Sequence, residues 1–325
     1  MTVLVIGGAG YVGSHMVKRL LEHGETVVTL DDFSKGFPDA ILGGPVVRGD
    51  YGDAAVLNAA FAEHKPDAVM LFASFIEVGE SVAHPAKYYV NNVAKCFTLL
   101  EAMVRHGVRN LVFSSSAAVY GSHDGVIRED AACRPLSPYG RTKWIVEQAL
   151  RDFSAAYKIS FFALRYFNAS GASPDGRIGE RHDPETHLIP LVLQAASKRR
   201  ADIKVFGRDY PTPDGTCLRD YVHVEDLCHA HLLALRALRA GAKGGFYNLG
   251  NARGYSVAEV IDVAREVTGR DITVVDAPRR PGDPAMLVAD STLIREELGW
   301  RPQYGDLRVI VEHAWAWERL KGERW

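Results

Sequence analysis

The sequence predicts an α/β fold, in which a doubly wound parallel sheet is followed by a smaller α/β domain at the carboxyl-terminal end. Short β-branched runs alternate with helix-length amphipathic segments from the first residues onward, as parallel strands joined by crossover helices require. After Asn168 this alternation gives way to loops rich in glycine, proline and aspartate, which indicates a change of architecture. The sequence has no internal repeat and no long linker, so we expect the two parts to pack closely around a cleft.

Six buried strands and four helices are expected up to Asn168. The strands are predicted at Val3–Ile6, Thr26–Leu30, Val46–Val47, Ala68–Leu71, Leu111–Phe113 and Phe161–Leu164. The helices are predicted near residues 12–23, 53–64, 86–106 and 138–157. We therefore assign residues 1–168 to the sheet domain, to which the chain returns near residues 215–250, and residues 169–325 mainly to the second domain.

Composition excludes several classes of function. The 325 residues carry 38 Lys and Arg against 40 Asp and Glu, so the chain offers no positive field for nucleic acid or an anionic membrane. The apolar fraction of 47% is enough for a large core, and the four cysteines are too scattered for a disulfide framework. The run Val3–Ile6 is too short for a secretion signal, and no apolar stretch approaches a membrane span. A cytoplasmic location is therefore expected.

A glycine-rich turn, GGAGYVG, follows the first strand and opens the first helix, with Gly7, Gly10 and Gly13 at the spacing of a dinucleotide-binding turn. Backbone N–H groups and a helix N-terminus at this place bind a pyrophosphate. Asp31 follows the second strand, where a carboxylate accepts a hydrogen bond from a ribose 2′-hydroxyl and repels a 2′-phosphate. The sequence thus predicts a Rossmann-type NAD site, and the competing interpretation is a purely structural turn.

A serine, a tyrosine and a lysine form the candidate catalytic group. Tyr139 and Lys143 lie four residues apart at the start of a predicted helix, so their side chains share one face. Ser116 ends a run of three serines after the fifth strand, at the sheet edge where doubly wound folds bind their ligands. A tyrosine acts as a base near neutral pH if its pKa of about 10 falls by roughly three units. We expect Lys143 and a positively charged nicotinamide to lower it.

These motifs resemble those of the extended short-chain dehydrogenase/reductase superfamily, and others narrow the resemblance to its nucleotide-sugar 4-epimerases. The others are VGES at 78–81, YYVNNV at 88–93, FSSSAAVYG at 113–121, LRYFN at 164–168, DYPTPDGT at 209–216, RDYVHV at 219–224 and PRRPGD at 278–283. The resemblance covers essentially the whole chain. It implies that NAD stays bound while UDP-glucose and UDP-galactose interconvert through a 4-keto sugar. It also implies a homodimer that pairs the apolar helices near residues 90–104.

The resemblance also assigns roles to residues. It makes Tyr139 the base for the sugar 4′-hydroxyl, Lys143 the group that stabilises the phenolate and binds the nicotinamide ribose, and Ser116 the partner of the reacting oxygen. The residues expected to bind NAD are Gly7, Gly10, Tyr11, Val12, Gly13, Asp31, Asp32, Phe33, Ser34, Lys35, Gly36, Asp50, Tyr51, Phe72, Ala73, Ser74, Asn92, Ser114, Tyr139, Lys143, Tyr166 and Phe167. The residues expected to bind the UDP-sugar are Ser116, Asn168, His187, Leu188, Lys204, Val205, Phe206, Arg219, Arg280, Asp283 and Leu287.

Other activities stay open from the sequence alone. Leu287 aligns with a pocket position that is bulky in some relatives and small in others, so UDP-N-acetylhexosamines and UDP-xylose or UDP-arabinose are alternative substrates. A nucleotide-sugar dehydratase needs an acid pair after Ser116, where this chain has Ala117 and Ala118. A non-catalytic NAD-sensing module is expected to lack the tyrosine or the lysine, and this chain has both.

Two groups of residues carry side chains that bind metals. They are His182, Asp183 and His187 in a proline-containing loop, and His223, His229 and His231 at the start of a predicted helix. Neither group has the spacing of a known ligand motif. No metal is therefore expected.

Overall fold

The structure is a computed structural model, and we describe its residues 1–123, 125–280 and 283–324, with side chains up to residue 320. The strands in these residues are β1 (Thr2–Ile6), β2 (Thr26–Asp31), β3 (Val46–Arg48), β4 (Ala68–Leu71), β5 (Asn110–Ser116), β6 (Val126–Ile127), β7 (Ser160–Tyr166), β8 (Asn168–Ser170), β9 (Ile203–Phe206), β10 (Leu218–Arg219), β11 (Tyr221–His223), β12 (Gly244–Leu249), β13 (Tyr255–Ser256), β14 (Val274–Ala277) and β15 (Met286–Ala289). The α-helices are α1 (Tyr11–Glu22), α2 (Ala54–His64), α3 (Val78–Ala83), α4 (Pro85–Tyr88), α5 (Lys95–His106), α6 (Pro138–Tyr157), α7 (Leu188–Ala196), α8 (Val224–Arg239), α9 (Val257–Thr268), α10 (Thr292–Glu297) and α11 (Leu307–Arg324). Across the described residues, no helix has the length and apolar character needed to cross a bilayer.

Seven parallel strands form the central sheet in the order β12-β7-β5-β4-β1-β2-β3. The direction of winding reverses between β1 and β4, which pair from Val3–Ala68 to Ile6–Leu71. A reversal of this kind opens a crevice beyond the carboxyl ends of the strands, where doubly wound proteins bind ligands. The predicted doubly wound parallel sheet is confirmed.

The prediction of six strands was wrong by one. The seventh, β12, pairs with β7 from Gly244–Phe161 to Leu249–Tyr166 and forms one edge of the sheet. It begins with two glycines, which carry no side chain to give a β-branched signal. Gly244 has a φ of 80°, and a Cβ there would lie 1.8 Å from the carbonyl oxygen of Phe161, so the close approach of the two strands requires glycine.

The helix predicted near residues 86–106 is interrupted. Between α4 and α5 the chain forms a π-helical segment, Tyr89–Ala94, so the hydrogen-bond pattern changes for one turn. Asn92 lies within this segment and is buried. Its amide bonds the backbone of Phe75 and the hydroxyl of Thr142, so the interruption ties the loop after β4 to α6.

Apolar side chains cover both faces of the sheet. On one face α1 and α8 pack together, with Leu20 and Leu235 in the same buried cluster. On the other face α2, α5 and α6 form the second cluster, which includes Phe61 and Leu100. Burial of one such side chain stabilises the fold by about 1.5–3 kcal/mol. Both α8 and β12 thus belong to the sheet layer, near the return of the chain expected at residues 215–250.

A third apolar core lies outside the central sheet. Helices α7, α9 and α11 contribute Ile189, Val260 and Ile310 to it. A four-stranded sheet in the order β13-β10-β15-β6 accompanies this core, and its strands β10 and β15 place Arg219 beside Leu287. The domain limits at residues 168 and 169 stay a prediction.

Candidate active site

The glycine turn joins β1 to α1 with very little room for side chains. A Cβ on Gly7 would lie 2.4 Å from the backbone nitrogen of Ala73, and a Cβ on Gly13 would lie 2.1 Å from the Gly7 carbonyl oxygen. Gly10 is the N-cap of α1, and no described side chain caps this helix terminus. The N–H groups of the first turn, at Tyr11 and Val12, are therefore suited to an anionic ligand.

Asp31 lies at the end of β2, beside this turn. Its carboxylate accepts hydrogen bonds from the backbone N–H groups of Ala9 at 2.9 Å and Phe33 at 2.8 Å. Burial raises the pKa of Asp31, and these two bonds to the charged form oppose the rise. Gly36 brings the same loop against the turn, since a Cβ there would lie 2.6 Å from the Cβ of Ala9. The loop over residues 31–36 is thus fixed at the edge of the glycine turn.

Two further members of the predicted NAD set stabilise this loop. Asp32 accepts from the backbone N–H of Ser34 at 2.8 Å. The ammonium group of Lys35 donates to the carbonyl oxygen of Asp183 at 3.2 Å and lies 3.6 Å from a carboxylate oxygen of Glu77. Lys35 therefore crosses from the loop after β2 to the loop before α7.

Asp50 and Tyr51 follow β3 at the other end of the crevice. The carboxylate of Asp50 pairs with the ammonium of Lys95 at 2.7 Å and accepts from the backbone N–H of Gly52 at 2.7 Å. Burial raises the pKa of Asp50, but these two bonds outweigh it and lower the pKa. Tyr51 donates to the carbonyl oxygen of Asn91. Lys95, which sequence reasoning left without a role, thus holds this end of the site together.

The start of α6 packs directly on the end of β5. Ser137 caps the helix by accepting from the N–H of Gly140 at 3.1 Å. A Cβ on Gly140 would lie 2.4 Å from the carbonyl oxygen of Ala118, so this contact requires glycine. It brings Tyr139 onto the segment that begins with Ser116, and a hydrogen bond from Ser116 influences the pKa of the phenol. The tyrosine and the serine predicted from the sequence therefore lie together.

Lys143 lies one turn further along α6 and is buried. Its ammonium group donates to the carbonyl oxygen of Ser114 at 2.8 Å and lies 5.9 Å from the centre of the Tyr139 ring. It also lies 5.0 Å from the centre of the Phe113 ring. Lysine, tyrosine and serine thus converge at the carboxyl end of β5, as the sequence predicted.

Burial shifts the pKa values of both Tyr139 and Lys143. It raises that of Tyr139 to about 12, and the hydrogen bond from Ser116 opposes the rise only in part. It lowers that of Lys143 to about 7. The lowering of the phenol's pKa by Lys143 together with a positively charged nicotinamide stays a prediction.

A buried ionic network next to this group was not predicted from the sequence. Glu147, four residues after Lys143, accepts from the hydroxyl of Ser115 at 2.6 Å. It also accepts from Arg165 of β7 at 2.9 and 2.7 Å. The same guanidinium donates to the hydroxyl of Tyr120 at 2.7 Å. The network ties α6 to β5 and β7, and so fixes the height of Lys143 above the sheet edge.

Tyr166 and Phe72 contact His231 of α8, which the sequence offered only as a candidate metal ligand. The hydroxyl of Tyr166 is hydrogen-bonded to Nε2 of His231, and Nδ1 of His231 lies 2.8 Å from the carbonyl oxygen of Leu227. The ring of Phe72 packs at 5.0 Å from that of His231. Burial lowers the pKa of His231 to about 4, so the ring is neutral and accepts from Tyr166.

The loop after β4 reaches the crevice through its backbone. The N–H groups of Phe72 and Ala73 both donate to the carbonyl oxygen of Ile6, and the Ser74 hydroxyl donates to that of Phe75. Asn92 uses its whole amide on protein partners, so its side chain positions this loop.

The residues predicted to bind the UDP-sugar fall into two sets. In the first, Arg219 pairs with Asp283, and the guanidinium of Arg280 lies 3.9 Å from the centre of the Phe206 ring. Leu287 packs near Ala117 and Phe167 in one small cluster. The N–H of Asn168 donates to the carbonyl oxygen of Asp220 at 2.9 Å. Two positions of the motif at 278–283, Pro281 and Gly282, lie outside the described residues.

The second set lies on β9 and at the start of α7. Val205 is buried in the third apolar core, so only its backbone can face a ligand, whereas Lys204 before it is exposed. Leu188 begins α7 and packs against that same core. His187, the N-cap of α7, directs Nδ1 at Glu180. Asp183, grouped with the histidines in the sequence, receives Lys35 at its carbonyl oxygen instead.

Asp220 is a positioning residue that sequence reasoning missed. Its buried carboxylate accepts from the backbone N–H groups of Asn251, Ala252 and Ala289 at 2.7 to 3.1 Å. Burial raises its pKa to about 7, although these three bonds favour the charged form. It lies directly after Arg219, so it fixes the end of β10 against β15. The signal available in the sequence was an acidic residue between an arginine and an aromatic residue, in RDY at 219–221.

A glycine turn at the winding reversal, with a serine, tyrosine and lysine above it, defines a dinucleotide-binding enzyme of the short-chain dehydrogenase/reductase class. The sequence model of the NAD dependent epimerase/dehydratase family matches residues 3–250. The chain belongs to that family.

Characterised relatives and solved structures align along the whole chain. A UDP-glucose 4-epimerase of Halalkalibacterium halodurans is 49% identical over 320 residues, which is 98% of this chain and 96% of that protein. The UDP-glucose 4-epimerase of Brucella ovis in complex with NAD is 46% identical and superposes with a TM-score of 0.95, covering 97% of each chain. That of Bifidobacterium longum in complex with NAD+ and UDP is 36% identical, with a TM-score of 0.94 over 100% of each chain.

Proposed function

We propose that this protein is a UDP-glucose 4-epimerase, an isomerase that interconverts UDP-glucose and UDP-galactose with NAD held in the glycine turn. The observation that carries the proposal is the convergence of Tyr139, Lys143 and Ser116 at the carboxyl end of β5. Relatives that bear this name align over nearly the full length of the chain. A dehydratase needs an acid pair directly after the serine, and this chain has Ala117 and Ala118 there, which argues against dehydration.

The residues present fit NAD. The turn leaves no room for a Cβ at Gly7 or Gly13, and the first N–H groups of α1 have no capping side chain among the described residues. A pyrophosphate supplies the negative charge that this helix terminus favours. Asp31, whose carboxylate is fixed by two backbone bonds, accepts from a ribose hydroxyl. When bound, NAD supplies the acceptor and then the donor of the hydride at C4 of the sugar.

Tyr139 takes the proton from the sugar 4′-hydroxyl and later returns it. Its pKa of about 12 must approach 7 for this, which corresponds to about 7 kcal/mol of stabilisation of the phenolate. Protonated Lys143 stabilises the phenolate of Tyr139. The pKa of Lys143 is about 7, so this lysine takes up its proton near neutral pH. Ser116 donates to the oxygen that alternates between alcohol and ketone.

The first set of UDP-sugar residues is suited to hold the nucleotide while the sugar turns. Arg219 and Arg280 present planar guanidinium groups suited to a diphosphate, and Arg280 is stacked on Phe206. Leu287 and Phe167 pack in the same small cluster as Ala117, the residue after Ser116, which suits them to contact the sugar. An anchored diphosphate with a loosely held ring lets either face of C4 be presented, which inverts the configuration. Galactose and glucose configurations interconvert in this way.

The assembly we propose is a cytoplasmic homodimer. Val90, Phe97 and Val104 are seven residues apart, and their exposed fractions are 58%, 38% and 37%. The seven-residue spacing places Phe97 and Val104 along one stripe of α5, and Val90 lies in the π-helical segment just before it. A second copy of this chain that brings the same stripe forms a four-helix contact with α6.

The test is turnover without added cofactor. Purified protein given UDP-galactose, and followed by proton NMR, is expected to produce UDP-glucose. Tyr139→Phe is expected to lower kcat at least 100-fold while the bound NAD is retained. Tyr157→Phe, at the exposed end of the same helix, is the matched control and is expected to keep full activity. A keto sugar accumulating in place of UDP-glucose would contradict the proposal.

A further inference from the structure

Two histidines and two glutamates gather on the loop before α7, away from the catalytic tyrosine. They are Glu180, His182, Glu185 and His187, and we call them the His/Glu cluster. One nitrogen or oxygen atom from each lies within 4.8 Å of the others. We propose that the His/Glu cluster binds one zinc ion, which fastens this loop beside the glycine turn.

The distances in the cluster suit a tetrahedral ion. The Nδ1 atom of His182 lies 3.4 Å from an oxygen of Glu180 and 3.4 Å from an oxygen of Glu185. Zinc with bonds of about 2.0–2.2 Å places neighbouring tetrahedral ligands about 3.4 Å apart. His187 contacts Glu180 directly through Nδ1. That contact opens when the ion enters, because both atoms then become ligands.

Two buried polar atoms of the cluster have no hydrogen-bond partner. They are Nδ1 of His182 and Oε2 of Glu185. The side chain of Glu185 is only 5% exposed, so its free oxygen is shielded from solvent as well. A buried polar atom left without a partner destabilises the fold. A metal ion among these donors satisfies both atoms, whereas at present the His182 nitrogen has only two long contacts of 3.4 Å and the Glu185 oxygen has no hydrogen bond.

The surrounding chain holds the ligands in place. The other oxygen of Glu185 accepts from the N–H groups of Thr186 and His187 at 2.9 and 3.0 Å, which orients the carboxylate as outer-shell bonds orient metal ligands. The carbonyl oxygen of Glu180 accepts from the indole N–H of Trp317 at 3.0 Å. Lys35 holds Asp183 from the opposite side.

The donor set favours zinc over magnesium or calcium. Two imidazole nitrogens and two carboxylate oxygens match the borderline character of Zn²⁺, whereas Mg²⁺ and Ca²⁺ prefer oxygen ligands alone. Two carboxylates also balance the charge of a divalent cation. The side chains of His182 and His187 are 19% and 40% exposed, so an ion can enter. The sequence-based expectation of no metal considered Asp183 and left out both glutamates.

The place of the cluster indicates what the ion does. The ring of His182 meets the ring of Tyr11 edge-on, with 6.2 Å between their centres. Tyr11 opens α1 at the glycine turn, and its hydroxyl donates to the carbonyl oxygen of Gly171 at 2.7 Å. An ion here fastens the loop to the turn that we assign to the pyrophosphate. It therefore stabilises the holoprotein and takes no part in the transfer at C4.

The experiment measures zinc on untagged holoprotein that a chelator has stripped of metal. Equilibrium dialysis against buffered Zn²⁺, with the metal determined by mass spectrometry, is expected to give one zinc per chain. Zinc is also expected to raise Tm. The variant combining His182→Ala with Glu185→Gln is expected to bind at least 100-fold more weakly and to show no rise in Tm. The matched control combines His84→Ala with Glu63→Gln, two exposed positions, and is expected to behave as the wild type.

A wild-type protein that binds no more zinc than the double variant would overturn the proposal, and so would a Tm that rises equally in both. Circular dichroism first establishes that the double variant is folded. If it is not, His182→Gln alone is used, because it keeps the size of the side chain and lacks the imidazole nitrogen. Zinc retained by that variant at wild-type affinity would also overturn the proposal.

Discussion

The buried pair between Glu147 and Arg165 offers the sharpest test of how the catalytic helix is held. Their side chains are 0% and 3% exposed, and two hydrogen bonds join them. Changing Glu147 to Gln leaves the guanidinium buried with its charge uncompensated, which costs about 3–5 kcal/mol. That is a large part of the 5–15 kcal/mol that a domain usually has. We therefore expect the free energy of unfolding to fall by about 3–5 kcal/mol.

A second substitution separates the charge from the packing. Replacing both partners, Glu147→Leu with Arg165→Met, removes the two charges together, and we expect it to cost less than Glu147→Gln alone. Urea unfolding followed by circular dichroism measures the free energy of unfolding of all variants. The control is Glu101→Gln, at an exposed position of α5. A loss below about 1 kcal/mol for Glu147→Gln, or a double variant as unstable as the sum of its single variants, would refute the reasoning.

The burial of Lys143, the size of Leu287 and the exposed face of α5 can each be tested by substitution. Burial lowers the pKa of Lys143 from 10.5 to about 7, so between these pH values the unfolded chain binds a proton that the folded chain does not. Across this window the free energy of unfolding of the wild type should therefore rise by about 1.4 kcal/mol per pH unit more than that of Lys143→Met. If the free energies of both proteins change equally with pH, the burial argument is refuted. Leu287→Ala removes side-chain volume near Phe167, so the ratio of kcat/KM for UDP-N-acetylgalactosamine to kcat/KM for UDP-galactose should rise about tenfold. An unchanged ratio would show that Leu287 does not contact the sugar. Phe97→Asp with Val104→Asp should convert the dimer into a monomer in light scattering with chromatography, while Glu63→Gln, exposed on α2, stays dimeric. A dimer that survives both aspartates must use another surface.

The apolar pattern was a reliable guide to the first half of the sheet. Parallel strands are buried on both faces, so β1 and β4 read as continuous apolar runs and were predicted close to their observed bounds. The strand that begins at Gly244 was missed because its first residues lack side chains and its burial depends on β7, which lies far away in sequence. An apolar run from Phe246 to Leu249 just after α8 was the signal available.

The candidate site was predictable where function depends on local spacing. Tyr139 and Lys143 are separated by one helical turn, and the glycine turn follows β1 directly, so neither needs long-range information. Glu147 and Asp220 were missed, and His231 was considered only as a metal ligand, because their roles depend on partners from other elements, such as Arg165 and Tyr166. The rise that burial causes in the pKa of Tyr139 was missed, because burial cannot be read from the spacing of two residues.

The central claim is that the hydrogen at C4 of the sugar leaves as a hydride and returns to the same carbon. UDP-galactose deuterated at C4, converted by the purified protein in ordinary water without added NAD, tests it directly. We predict that the UDP-glucose formed keeps its deuterium at C4, measured by NMR and mass spectrometry, because a hydride does not exchange with solvent. Loss of the deuterium to water would show that C4 is deprotonated instead, and would contradict the roles assigned to Tyr139 and to NAD.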